Sequence, residues 1–159
     1  MPEYRRAKAV RLGRDMPGGS SAWTRETARQ AVGEVMAAFE LIEDRNADYK
    51  SSKALSLIAD NAWNGGIVIG AAKPPPSGLD LNGIRGSLRR NGKEEAAGKT
   101  DDPMGALAWL ANLAVQRGRP MTAGMVVITG SLVATVDIAP GERLDFAIDG
   151  IGDVSMTAA

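Results

Sequence analysis

The sequence contains no cysteine and no histidine. The first absence excludes disulfide staples and thiolate chemistry. The second excludes imidazole acid–base catalysis and every His-bound zinc site. Aromatic residues are scarce, at 4%, and no basic stripe interleaves with them, so the footprint of a nucleic-acid binder is missing. Neither sign of charge is in excess: Lys+Arg and Asp+Glu number 19 each, and no net field favours nucleic acid or an anionic membrane. No apolar run reaches membrane-spanning length. The opening "MPEYRRAKAV" lacks the apolar centre of a signal peptide, so the expected location is cytoplasmic. What remains for chemistry is carboxylates, lysine, Ser/Thr, Tyr, backbone groups, or a hard metal held by oxygen.

The chain has 159 residues, 44% hydrophobic and 24% charged, as expected of one globular domain over 1–159 with a real core. Its 19 glycines suggest many tight turns and a β-rich fold. Residues 6–12 read as a strand, although Arg6, Lys8 and Val10 do not alternate cleanly. Thr24 caps a short helix to Ala31, which Gly33 is expected to end. "EVMAAFELIED" (34–44) reads as a strand that is apolar on both faces, apart from Glu40. A carboxylate there is at least partly buried, and leaving it unpaired costs several kcal/mol. It is therefore protonated, paired with an arginine, or bound to a metal.

"SSKALSLIADNAW" (51–63) has Leu55, Ile58, Ala59 and Ala62 at helical spacing, with Ser51 or Ser52 as the cap and Gly65-Gly66 as the stop. "IVIG" reads as a short buried strand. Asn91-Gly92 is a type I′ signal joining two strands of a hairpin. "DDPMGALAWLANLAVQRG" is the clearest helix: Asp102 caps it, Pro103 opens it and Gly118 ends it. "MVVITGS" reads as a buried strand, and the closing segment as a meander turning at Pro140-Gly141 and at 149–152. Strands with three inserted helices give an α+β class.

The segments "FELIEDRNADY", "IADNAWNGGIVIG", "RNGK", "DPMGALAWLAN" and "AGMVVITGSLV", in this order, resemble the 2-keto-4-pentenoate hydratase and 4-oxalocrotonate decarboxylase family of the fumarylacetoacetate hydrolase superfamily. The resemblance covers most of the chain from Gly13 onward. It implies an α+β fold built on a mixed β-roll with a few short helices. It also implies Mg²⁺ or Mn²⁺ held by three carboxylates, and 2-oxo acids from aromatic-compound degradation as substrates. The metal would stabilise the enolate formed as a proton moves at the carbon beside the keto group. Water addition, decarboxylation and C–C hydrolysis all remain open. By position, Glu40 falls on the third metal carboxylate. Thr129 and Ser131 fall where the family closes on substrate, and Asp60 and Asn61 match its "DN" at the pocket wall. Local readings stand beside these: a strand-end turn at "TGS", and a helix C-terminus bonding nearby backbone at Asp60 and Asn61.

Two departures accompany the matches. Counting back from Gly13, the family's Glu-x-Glu pair falls on Arg5 and Ala7, with Glu3 out of register. The family's chain also extends well upstream, where it carries a lysine used in proton transfer; Lys8 is the nearest substitute, without support from its spacing. Trp63 stands where a small serine is common. The chain is thus expected to be an N-terminally short member. It would be a homo-oligomer or associate with a full-length homologue, and its alternative role is that of a truncated, inactive or structural partner.

Overall fold

In the computed structural model, residues 3–48, 50–78 and 80–158 are described, with the side chains of 3–7 and Val133 left aside. The strands are β1 (Glu3–Leu12), β2 (Val32–Ile42), β3 (Asn64–Ile69), β4 (Arg85–Arg90), β5 (Lys93–Lys99), β6 (Val126–Asp137), β7 (Arg143–Ile148) and β8 (Gly152–Thr157). The helices are α1 (Arg25–Ala31), α2 (Ala54–Ala59) and α3 (Pro103–Gln116), with a 3-10 turn at Asn61–Trp63. Two four-stranded sheets run in the orders β3-β2-β1-β6 and β5-β4-β7-β8. Every described strand pair is antiparallel.

The main core fills the space between the sheets. Val10 and Leu12 of β1 and Val35, Ala37 and Phe39 of β2 meet Leu88, Leu144 and Phe146 from the second sheet. The Phe39 and Phe146 rings lie 6.2 Å apart at 51°, a tilted aromatic pair. Ala9, Met36 and Ala38 point the other way and pack with Ala72, Val126 and Ile128. Strand β2 is apolar on both faces because each face has a packing partner. The first sheet therefore has an inner face toward the core and an outer face.

Local signals account for several joints. Thr24 and Thr27 form a reciprocal capping box on α1. Asp102 caps α3 by accepting from the Gly105 amide at 3.1 Å, and Pro103 sits in the first turn, where its missing N–H costs nothing. Asn91 and Gly92 turn β4 into β5 with φ of 49° and 83°, the left-handed pair that a type I′ turn needs. Asn112 of α3 latches the chain ahead of α1, accepting from the Trp23 amide at 2.8 Å and donating to its carbonyl at 2.9 Å.

Four expectations need correction. Helix α1 runs directly into β2 through Val32, so Gly33 does not end the helix. Gly33 lies inside the strand because a Cβ there would stand 2.8 Å from the Cα of Gly13. Helix α2 is shorter than its apolar spacing suggested, and it starts after Lys53 with no side-chain cap. The Ser51 and Ser52 hydroxyls donate instead to the Asp48 carbonyl. No residue of α2 is buried: Leu55 is 79% and Ile58 75% exposed. Strand β3 alternates rather than being buried throughout, with Ile67 and Ile69 still 41% and 38% exposed. It is an edge strand. Finally, Thr-Gly-Ser does not end a strand: β6 continues through it to Asp137. The β1–β6 register slips there, Ala9 facing Ile128 but Ala7 facing Ser131. Gly130, at φ 121°, lies in the segment that absorbs the extra residue.

Candidate functional site

Strand alternation puts Lys8 with Val10 and Leu12, not with Ala9. Its side chain therefore enters the space between the sheets, where Lys8 is only 1% exposed. Its ammonium reaches the Leu81 carbonyl at a long 3.5 Å. The same carbonyl accepts from the Thr100 hydroxyl at 2.8 Å, and that hydroxyl accepts from the Ile84 amide at 2.9 Å. Thr129 donates its hydroxyl to the Lys8 carbonyl at 3.3 Å. Lys8, Thr100, Thr129, Pro103 and Leu132 line a cavity of about 50 Å³, with Asp101, Gly130 and Ser131 also around it. These last three are exposed, and the first five are buried. The cavity thus has a buried floor and a rim open to solvent.

Burial pushes the Lys8 amine down to about 8; Asp80 works against the shift and Arg29 adds to it. Desolvation disfavours the charged form, and a nearby cation does the same. Asp80 and Arg29 border a larger hollow of about 460 Å³, together with Arg25, Asn82 and Asp102. Arg25 closes one side of it through a two-pronged ion pair with Asp102.

The other residues singled out in the sequence lie elsewhere. Glu40 is half-buried. Its register partners are Arg5 on β1 and Ile67 on β3, and alternation gives it the outer face with Ala38. Ala7 pairs with Ala38. Asp60 caps the C-terminal end of α2 and is ion-paired with Arg45. Asn61 is exposed. Asn61, Ala62 and Trp63 are successive residues at positive φ, 49°, 50° and 62°, a conformation costing roughly 1–2 kcal/mol per non-glycine residue. The turn is held by Trp63 N–H to the Asp60 carbonyl and by Glu43 N–H to the Trp63 carbonyl, both 2.9 Å. Thus Thr129 and Ser131 share one cavity, whereas Asp60 and Asn61 precede β3, at the opposite edge of the sheet from β6.

The sequence matches the fumarylacetoacetate (FAA) hydrolase C-terminal family over residues 9–158. The chain belongs to this family. Among its FAA hydrolase relatives, 2-keto-4-pentenoate hydratase of Paraburkholderia xenovorans (strain LB400) is 33% identical over 90% of this chain and 54% of its own length. The 2-hydroxyhexa-2,4-dienoate hydratase of Comamonas testosteroni is 36% identical over 93% of this chain and 56% of its own. The FAA hydrolase fold is seen in 4-oxalocrotonate decarboxylase from Pseudomonas putida G7, complexed with magnesium and adipate. That structure aligns with a TM-score of 0.86 at 24% identity, over 99% of this chain and 60% of its own. This FAA hydrolase member spans about half the length of the hydratases it matches.

The three-carboxylate metal set does not fit the residues present. In the backbone register Glu40 pairs with Arg5 and Ala38 with Ala7, so neither paired position supplies a carboxylate. Among the described residues no three acidic side chains stand close enough to hold an ion. One carboxylate by itself makes a poor cation site. The residue that sequence reasoning undervalued is Lys8. The signal for it was the strand alternation with Val10 and Leu12, obscured by Arg6 before it and Arg11 after.

Proposed function

We propose that this chain is a 2-oxo acid lyase of the hydratase type in which the family's three-carboxylate metal set has been lost. The observation that carries the reading is the β1–β2 register, which sets Arg5 against Glu40 and Ala7 against Ala38. Kinship with hydratases acting on unsaturated oxo acids supports the substrate class. On this reading Thr129 and Ser131 contact substrate, and Asp60 and Asn61 shape the loop ahead of β3. The test is turnover of 2-keto-4-pentenoate, followed by its ultraviolet absorbance in EDTA and in Mg²⁺ or Mn²⁺. Equal turnover in both supports the reading; turnover confined to the metal-containing sample, or none at all, refutes it.

A second reading, a partner-dependent member without activity alone, is favoured by the exposed Leu55, Ile58, Ile67 and Ile69. An apolar group this exposed on α2 and β3 suits burial against another chain. Co-elution with a full-length homologue, together with turnover only in the mixture, would select it.

A further inference from the structure

We propose that Lys8 is the reactive amine of the cavity it shares with Thr129 and Ser131, and that this cavity binds a small 2-oxo acid whose keto carbon forms an imine with the Lys8 nitrogen. The inference rests on the reading that this chain handles 2-oxo acids. It differs from the metal chemistry implied by the family, because Lys8 points to the inner face and Glu40 to the outer.

Three observations carry it. First, Lys8 is fully buried, yet its ammonium has no carboxylate within ion-pair distance among the described residues, and its one hydrogen bond is the 3.5 Å contact to Leu81. A buried charge this poorly satisfied favours the neutral amine. Second, Lys8 borders a cavity with hydroxyls of Thr100 and Thr129 on its floor and Ser131 and Asp101 on its open rim. Its volume of about 50 Å³ takes roughly three or four water-sized groups. That admits the carbonyl end of a two- or three-carbon oxo acid and leaves its carboxylate at the rim. Third, desolvation of a lysine in a closed pocket is an established way to obtain a nucleophilic amine; here burial is the dominant cause, Asp80 opposes it, and Arg29 makes the smallest contribution. The charged groups around it are Asp80, Arg29 and, at the rim, Asp101.

The step balances without a co-reactant. The nitrogen lone pair of neutral Lys8 bonds to the keto carbon, and the C=O π pair moves to oxygen, which takes up a proton. The first N–H proton replaces the one taken up, the carbinolamine hydroxyl then accepts a proton from solvent and leaves as water while nitrogen forms C=N, and the second N–H proton returns to solvent, so that amine and ketone give imine and one water. Protonated, this imine draws electrons from the adjacent carbon, which is the service a metal performs for the enolate.

The test uses the whole chain in EDTA, incubated with pyruvate or glyoxylate and cyanoborohydride, then digested for peptide mass mapping. The hydride reduces C=N to a stable secondary amine. At pH 8 the Lys8 peptide should carry the adduct at least about tenfold above exposed Lys50, Lys53, Lys73 and Lys93, with labelling that rises through pH 8. Lys8→Met should remove that adduct alone. Labelling of the surface lysines with none at Lys8, or a Lys8 profile identical to theirs, overturns the proposal. Turnover of 2-keto-4-pentenoate without an adduct overturns the imine and leaves the lyase reading. An adduct without turnover supports the imine and removes the lyase reading.

Discussion

Replacing Lys8 by methionine tests the electrostatics of the inner cavity without any ligand. The amine's ordinary value is 10.5, and in the fold it falls to about 8. Protonating it therefore costs the folded state about 3 kcal/mol more than the unfolded chain. Below pH 8 both states carry the proton and the fold bears the whole cost. Between 8 and 10.5 the unfolded chain holds more protons than the native one, so stability from this group rises with pH by about 1.4 kcal/mol per pH unit. Methionine has a similar length and no charge. Lys8→Met should accordingly be more stable than the parent by about 2–3 kcal/mol at pH 6, after allowing for the weak bond lost to Leu81. That gap should narrow steadily above pH 8. Urea denaturation of both proteins at pH 6, 8 and 9.5 measures it, and the difference between them cancels the other titrating groups. A variant less stable than the parent at pH 6, or a gap indifferent to pH, would mean that burial imposes no cost on the Lys8 charge.

Other outcomes follow from the same geometry. Thr24→Ala removes the α1 capping box and should cost about 1 kcal/mol by thermal or urea unfolding. Gly33→Ala drives a Cβ into the Gly13 backbone; the β1–β2 joint must open, at a cost of at least about 1–3 kcal/mol, and wild-type stability in this variant would disprove the close approach. The double change Leu55→Ser with Ile58→Ser alters only exposed positions. It should leave unfolding within about 0.5 kcal/mol of the parent while weakening any self-association seen by sedimentation.

Much of the fold was readable because its signals are local. Asn91-Gly92 and Asp102-Pro103 each specify a backbone conformation that needs no distant partner. Strand β2 was readable from its two apolar faces, since Met36 and Phe39 each require one. The misreadings arose where a residue's meaning depends on something far away in sequence. Leu55 and Ile58 have helical spacing, but spacing does not say whether a neighbour exists to cover them. Gly33 serves a contact with Gly13, twenty residues earlier, and Gly130 lies in a register slip with β1 rather than a chain reversal. At the candidate site, Thr129 and Ser131 could be linked from sequence because they are two residues apart. Their meeting with Lys8 and Thr100 required the β1–β6 pairing and the loop at Leu81. Glu40 was legible as a partly buried anion. That positions 5 and 7 hold Arg and Ala rather than carboxylates was legible directly, and the register adds that Arg5 pairs with Glu40 and Ala7 with the neighbouring Ala38.

Equilibrium dialysis against Mn²⁺ decides whether this family frame lacks the carboxylate set for a divalent metal. The parent chain should bind none at sub-millimolar metal, whereas Arg5→Glu combined with Ala7→Glu should bind one ion that Glu40→Gln then abolishes. Stoichiometric Mn²⁺ binding by the parent, lost on Glu40→Gln, would show that a metal site at Glu40 is retained.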